Sequence, residues 1–307
     1  MSNSNLSWSQ KFKLKYGKDK SPVLGILFTM PAIILMSVLL FIPMGYQLRL
    51  SLYDTSLINP EPIFLGMEGY VEMMQSPTTA TVFSNAAVWT ISVVLLQFLV
   101  GFWAALTLNN KFFGRTLLRG FVIIPWIMPG VVAAMVWRLF YDARLGFLNT
   151  VLRNIGLLDG SIDWLGMPDL AMGSAIMVAV WKGFGFSALM LMAGLQGVSK
   201  ELYEASSVDG ANAFQRFFSI TLPSMKNIIA TTLLLTSMWT FNYFEIIFVL
   251  TGGGPLHATQ IPPTHIYELA FRNFNLGDSA RFAVISFFLV GTIAMLYVRN
   301  VRKRGEI

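Results

Sequence analysis

The reading turns on Glu204-Ala205-Ser206-Ser207-Val208-Asp209-Gly210-Ala211, running on to Ile220-Thr221-Leu222-Pro223. This stretch is a polar island between two apolar runs. Seventeen residues before it (183–199) and eighteen after it (227–244) carry no formal charge. Between them stand three basic residues (Lys200, Arg216, Lys226) and three acidic ones (Glu201, Glu204, Asp209), so the island is charged yet locally neutral. Tethered at both ends to segments that read as membrane spans, it must lie at one membrane face and act by touching something there.

The inner pattern is two short helices with a break. Ser199 is placed to N-cap the first, with Glu201 in its first turn where the helix dipole favours an anion. Asp209-Gly210 ends it, because glycine takes the left-handed cap conformation without steric cost. In the second, Ala211, Phe214, Phe217 and Phe218 fall on one apolar stripe, with Asn212, Gln215, Arg216 and Ser219 facing elsewhere. Pro223 cannot extend the hydrogen-bond ladder, so the chain turns there.

Glu204, Ala205, Gly210, Ile220, Leu222 and Pro223 match, in order and spacing, the "EAA" loop of ABC importer membrane subunits. The island therefore resembles that loop. Ser206 stands for the second alanine, and Asn227 for a proline that often follows, which implies a less sharply bent entry into the next helix. In that family the loop is a coupling helix docked on a separate ATPase. The resemblance thus implies coupling roles for Glu204, Ala205, Ser206, Asp209, Gly210, Ala211, Leu222 and Pro223. Glu204 would pair with a basic ATPase residue, and Gly210 would permit close backbone approach.

Composition points the same way. Of 307 residues, 55% are hydrophobic and only 12% charged, too apolar for a soluble globular chain. No cysteine is present, which removes disulfides, thiolate metal sites and cysteine nucleophiles. The net charge of +6 suggests nucleic acid only until the charges are placed. No phosphate-cradling G-x-x-x-x-G-K-[ST] occurs, and no H-E-x-x-H or G-x-S-x-G. No catalytic or metal-binding residue is assigned. His257 and His265 read as solvated loop histidines.

In order, a basic tail over 1–20 precedes an all-α, polytopic chain with spans at about 22–47, 80–108, 117–140, 170–196, 225–250 and 281–298. The uncharged run from Ser21 to Leu48 is too long for a signal peptide. Pro31 and Pro43 suggest kinks in the first span, and Pro125 and Pro129 an irregular third. If both termini face the cytoplasm, fifteen of the 22 Lys and Arg fall inside and ten of the sixteen acids outside, as the positive-inside rule requires. The localisation expected is a bacterial or archaeal cytoplasmic membrane.

Further resemblances to sugar permeases sit in the outer loops. They are Phe64-Leu65-Gly66 with Gly69-Tyr70, where Gly69 replaces the usual asparagine; Tyr141-Asp142 with Gly146 and Asn149, where Ala143 replaces a proline; and Thr251-Gly252-Gly253-Gly254-Pro255. Across nearly the whole chain from residue 22, the sequence resembles permease subunits of carbohydrate ABC importers of the maltose and glycerol-phosphate type. The last element points to the first partner of a heterodimer. The resemblance implies a MetI-like type I ABC importer permease fold. It also implies a second permease subunit, two ATPase subunits that bind ATP and Mg, an extracytoplasmic solute-binding protein, membrane lipid and a sugar substrate, with no cofactor on this chain and no nucleic acid. Lys182 and Glu245 are the charges set well inside spans, where they either pair or line a cavity. With Trp181, Trp239, Asn242 and Tyr243 they are the candidates for a sugar path, aromatic rings covering apolar sugar faces and polar groups bonding hydroxyls. Trp239, Asn242 and Glu245, spaced by three, should share a helix face. Trp126 reads as an interface anchor. The alternatives are an importer of a phosphorylated polyol or sugar acid, with Lys182 binding the anion, or a self-sufficient secondary carrier, for which the halves lack internal repetition.

Overall fold

The computed structural model describes residues 22–58 and 61–303; the basic tail over 1–20 and Arg304 lie outside them. α1 (Pro22–Leu50) is one helix of 29 residues that runs through Pro31 and Pro43 without a break. Its described side chains are mostly apolar, as in a helix made for a lipid surround.

The second unit begins at Ser51. A two-residue hairpin pairs β1 (Tyr53–Asp54) with β2 (Ile63–Phe64), and a short α2 (Glu68–Gln75) leads into the 33-residue α3 (Pro77–Asn109). α4 (Arg115–Ile127) and α5 (Gly130–Phe140) come next, then α6 (Phe147–Asn154) and α7 (Pro168–Gln196). The island comprises α8 (Lys200–Val208), α9 (Ala213–Arg216), a π-helical turn (Phe217–Thr221) and α10 (Leu222–Ser224). After it come α11 (Lys226–Phe241), α12 (Glu245–Leu250), α13 (Pro262–Tyr267), a second π turn (Glu268–Arg272) and α14 (Leu276–Lys303). Among the described residues four helices are long and apolar enough to cross a bilayer, or six spans if each of two bent pairs counts as one.

The first of those bent pairs is the third span, where the prolines predict an irregular helix. α4 and α5 meet at 97°, because Pro129 lacks a donor and forces Met128 into extended backbone (φ −60°, ψ 133°). The helix expected over 225–250 stops at Phe241 and resumes at Glu245. Here Asn242 Nδ2 donates to the Met238 carbonyl at 2.8 Å, a local side-chain bond that competes with the helix ladder. At the entry into α11, the island's second half and that helix meet at 68° around Met225.

The core is α3 against α7. Small residues bring the two backbones close, as helix pairs in membranes require. A Cβ at Gly101 would lie 2.6 Å from Ser187 Cβ and 3.0 Å from the Ala188 nitrogen. Gln97, 4% exposed, donates to the Gly183 carbonyl at 2.8 Å, so the polar group buried between the helices is satisfied. Trp89 Nε1 donates to the Thr240 carbonyl at 2.9 Å, which ties α11 to the same pair.

At the end opposite the island, Arg281 of α14 is buried. Its Nε and Nη2 donate to the Ser51 and Tyr53 carbonyls, each at 3.0 Å, while Nη1 pairs with Asp278. Its guanidinium fills the space a side chain at Gly69 would need, which accounts for glycine where the resembling segment carries asparagine. Asn149, fully buried, donates to the Ala143 and Ile162 carbonyls and accepts from Trp164 Nε1, holding the 141–164 loop.

The packing makes a prediction. Gly101→Val overpacks the α3–α7 crossing and should cost about 1–3 kcal/mol, seen as a lowered melting temperature in detergent. Gly120→Ala, with open space at its Cβ, should stay within about 0.5 kcal/mol of the parent.

Candidate functional site

The island is a braced, bent rod. Ser199 Oγ accepts from the Glu201 amide, and Gly210 turns the chain at φ +77° with open space around its Cα. Asn212 and Gln215 cap the next helix reciprocally, a capping box readable in the sequence and overlooked there. Cross-ties stiffen the bend: Tyr203 and Thr221 share a hydroxyl hydrogen bond at 2.8 Å, and Arg216 Nη1 donates to Ser207 Oγ at 3.0 Å. Phe217 packs on Phe102 of α3, and Met225 is buried with Leu191, Leu195 and Val198. A Cβ at Gly194 would come within 2.5 Å of Ile228, so this seat too depends on close backbone approach.

One face of the rod is turned outward. Glu204, Ala205, Asp209, Gly210 and Pro223 are exposed, Ala211 and Leu222 half-buried, and Ser206 buried with its Oγ donating to the Tyr203 carbonyl. The small residue at 206 therefore faces the bundle. The phenylalanine stripe runs from the bundle outward: Phe217 packs inward, while Phe214 and Phe218 are 71% and 50% exposed. A π turn starts at Phe217, and across it the rings stay in contact, Phe218 lying edge-on to Phe217 with centroids 5.1 Å apart and 4.5 Å from Phe214.

The candidate path residues gather where the two interrupted helices face α7. Trp181 lies edge-on to Trp137, with centroids 5.6 Å apart. Trp239 of α11 meets Phe186 of α7 at 4.8 Å, and Phe186 meets Trp126 of α4 at 5.6 Å. Trp126 is thus part of an aromatic row, and Phe186 and Trp137 were missed because only the bent helices bring them there. Lys182 is buried at mid-α7. Asn242 and Glu245 are exposed and Tyr243 is half-buried against the core. The helix interruption at 242–244 means Trp239, Asn242 and Glu245 do not share a helix face, although all three are exposed.

Glu245 forms no ion pair with Lys182 among the described residues. Its carboxylate instead rests on Gly130, the first residue of α5, where the amide dipoles favour an anion and any side chain would displace it. Gly130→Ala should therefore be damaging in the parent and nearly neutral when Glu245→Ala is already present. Thermal stability and transport measured across the four-protein cycle test this coupling.

At the opposite end, Thr251–Pro255 is interlocked with Thr259 and Gln260. Gly253 (φ +95°) leaves the room that the Gln260 side chain occupies, and Thr251 and Thr259 share a hydroxyl hydrogen bond at 2.6 Å. Gln260 Nε2 donates to Glu268 Oε2 at 2.6 Å and lies 3.3 Å from His265 Nδ1. His265 is not solvated as expected: it is 6% exposed and edge-on to Phe282. Burial pushes its pKa below the usual 6.5, against the partly opposing pull of Glu268. The folded protein therefore resists a proton that the unfolded chain accepts. Stability held above pH 6.5 should fall as the pH drops through and below that value, and His265→Gln should flatten the fall in denaturation curves.

Comparison with known proteins places this geometry. Residues 97–305 match the family described as the inner membrane component of binding-protein-dependent transport systems. The chain is 36% identical to the trehalose/maltose transport system permease protein MalF of Thermococcus litoralis, over 96% of this chain and 98% of that protein. It is 31% identical to the sulfoquinovosyl glycerol transport system permease protein SmoG of Agrobacterium fabrum, over 92% and 91%. Its fold superposes with a TM-score of 0.80, at 22% identity, on a chain of a bacterial alginate ABC transporter solved with an alginate pentasaccharide-bound periplasmic protein, covering 94% and 97% of the two chains. With a TM-score of 0.53 it also resembles a chain of the MetNI methionine ABC transporter, the MetI-like type I importer fold. By its match to the family model and its identity to these relatives along nearly its full length, the chain belongs to the inner membrane components of binding-protein-dependent transport systems.

Proposed function

We propose that the chain is the membrane-spanning permease subunit of an ATP-driven carbohydrate importer, forming half of the translocation pathway. A second permease subunit supplies the other half, two ATPase subunits bind ATP and Mg, and a solute-binding protein outside the cell delivers the sugar. The single observation that carries this reading is the island. It is cross-tied within itself and seated on α3 and α7, with Glu204, Asp209 and Gly210 turned outward. A rigid, seated rod transmits force, whereas a loose loop would absorb it.

In this reading the island end faces the cytoplasm. Closure of the ATPase pair draws two such rods together and opens the membrane halves outward. Sugar then passes the aromatic row of Trp126, Phe186 and Trp239, with Asn242 and Glu245 presenting polar groups beside it. The relatives named for trehalose/maltose and sulfoquinovosyl glycerol support a carbohydrate as the solute class. A sugar acid or phosphorylated polyol is the second reading, favoured by one observation: Lys182 is buried without an ion-pair partner among the described residues.

Glu204→Lys and Gly210→Glu should each leave the protein inserted and assembled while separating ATP hydrolysis from uptake in proteoliposomes. Transport equal to the parent in both variants would refute the coupling role. Purification of the chain should bring along an ATPase and a second multi-span subunit, and a chain that transports alone would return the secondary-carrier reading.

A further inference from the structure

The turn between α3 and α4, Asn110–Gly114, exposes an apolar side chain where the chain also concentrates positive charge. Phe113 is fully exposed, at 104% of its reference area, and Phe112 beside it is 39% exposed. Lys111 and Arg115 flank the pair. No Asp or Glu occurs between Glu72 and Asp142, so nothing nearby in sequence neutralises them. Arg115 Nη1 makes a long bond to the Asn110 carbonyl at 3.4 Å, and Arg119, one turn further on, gives its Nη2 to the Leu108 carbonyl at 2.9 Å and closes the C-terminal end of α3.

Two features point to an external anion that is spread over a surface. Arg115 sits in the first turn of α4, where the helix dipole disfavours a cation, and Gly114 offers no side-chain cap. The exposed apolar area also continues away from Phe113 on both sides, through Trp103 (71% exposed) on α3 and Leu117 (67%) and Phe121 (58%) on α4. Phe113 is therefore the apex of an apolar ridge whose flanks are helices of membrane length or composition. An aromatic apex bracketed by Lys and Arg, at the end of a span, matches the chemistry of the bilayer interface. A protein partner would have to bring its own acidic patch to this turn; an anionic leaflet presents negative charge in the headgroup plane where the turn lies and hydrocarbon along the ridge below it.

We infer that the 111–115 turn docks on an anionic phospholipid surface, with Phe113 immersed below the headgroups and Lys111 and Arg115 on their phosphates. This goes beyond solute import, because it makes the position of α4, and so of the α4–α5 break, sensitive to the lipid around it.

The absence of cysteine allows a direct test. Phe113→Cys carrying a nitroxide label is read by electron paramagnetic resonance in the assembled transporter, in nanodiscs of mixed phosphatidylcholine and phosphatidylglycerol. Relaxation by oxygen should exceed relaxation by a water-soluble nickel chelate. In parallel, the Lys111→Gln/Arg115→Gln variant should lose selectivity for phosphatidylglycerol over phosphatidylcholine at this turn by about ten- to thirtyfold, two basic contacts' worth. A label reached better by the chelate would overturn the inference, as would one shielded from both reagents by a covering protein. Unchanged lipid selectivity in the double variant would also overturn it.

Discussion

Trp89 stands fully buried near the middle of α3 and gives its indole N–H to the carbonyl of Thr240. That bond reflects the constraint on which the architecture rests. Inside a membrane a backbone can leave the helix only where the protein itself satisfies the groups set free. Thr240 lies in the last turn of α11, just ahead of the interruption at 242–244, and Trp89 joins the Tyr243 amide as a second donor to its carbonyl. The α4–α5 break is met from its other side by Glu245, whose carboxylate lies against the first residue of α5. Each interruption is thus supported by a residue from a different part of the chain, and between them the aromatic row and the polar groups of the candidate path become accessible.

The two ends of the molecule are built differently. At the island end, short helices are cross-tied through hydroxyls and seated on aromatic and aliphatic side chains, with the charged groups left outside. At the far end, polar groups are drawn inward: Gln260, His265, Asn149 and Arg281 are all buried and hydrogen-bonded to loop backbone or to one another. The first arrangement suits a part that moves as a body against a partner. The second fixes loop geometry, and it explains why the Thr-Gly-Gly-Gly-Pro segment needs its glycines: Gly253 adopts left-handed backbone and yields its side-chain space to Gln260.

Much of this was legible in local sequence. The Ser199 cap, the Gly210 stop and the proline-driven break near residue 129 arise from rules acting over a few residues, and the structure carries all three. What escaped depends on neighbours far along the chain. Burial of His265 depends on Phe282, the placement of Glu245 on Gly130, and the row through Trp126 on Phe186 and Trp239.

Arg281 has a consequence for how the chain is made. Its guanidinium holds the Ser51 carbonyl from 230 positions further on. During synthesis at about 5–20 residues per second, the segment after α1 must wait roughly 10–50 s for that side chain to emerge. Until then Ser51 and Tyr53 lack this clasp, so the earliest-inserted part of the second unit is finished by a helix made 230 residues later.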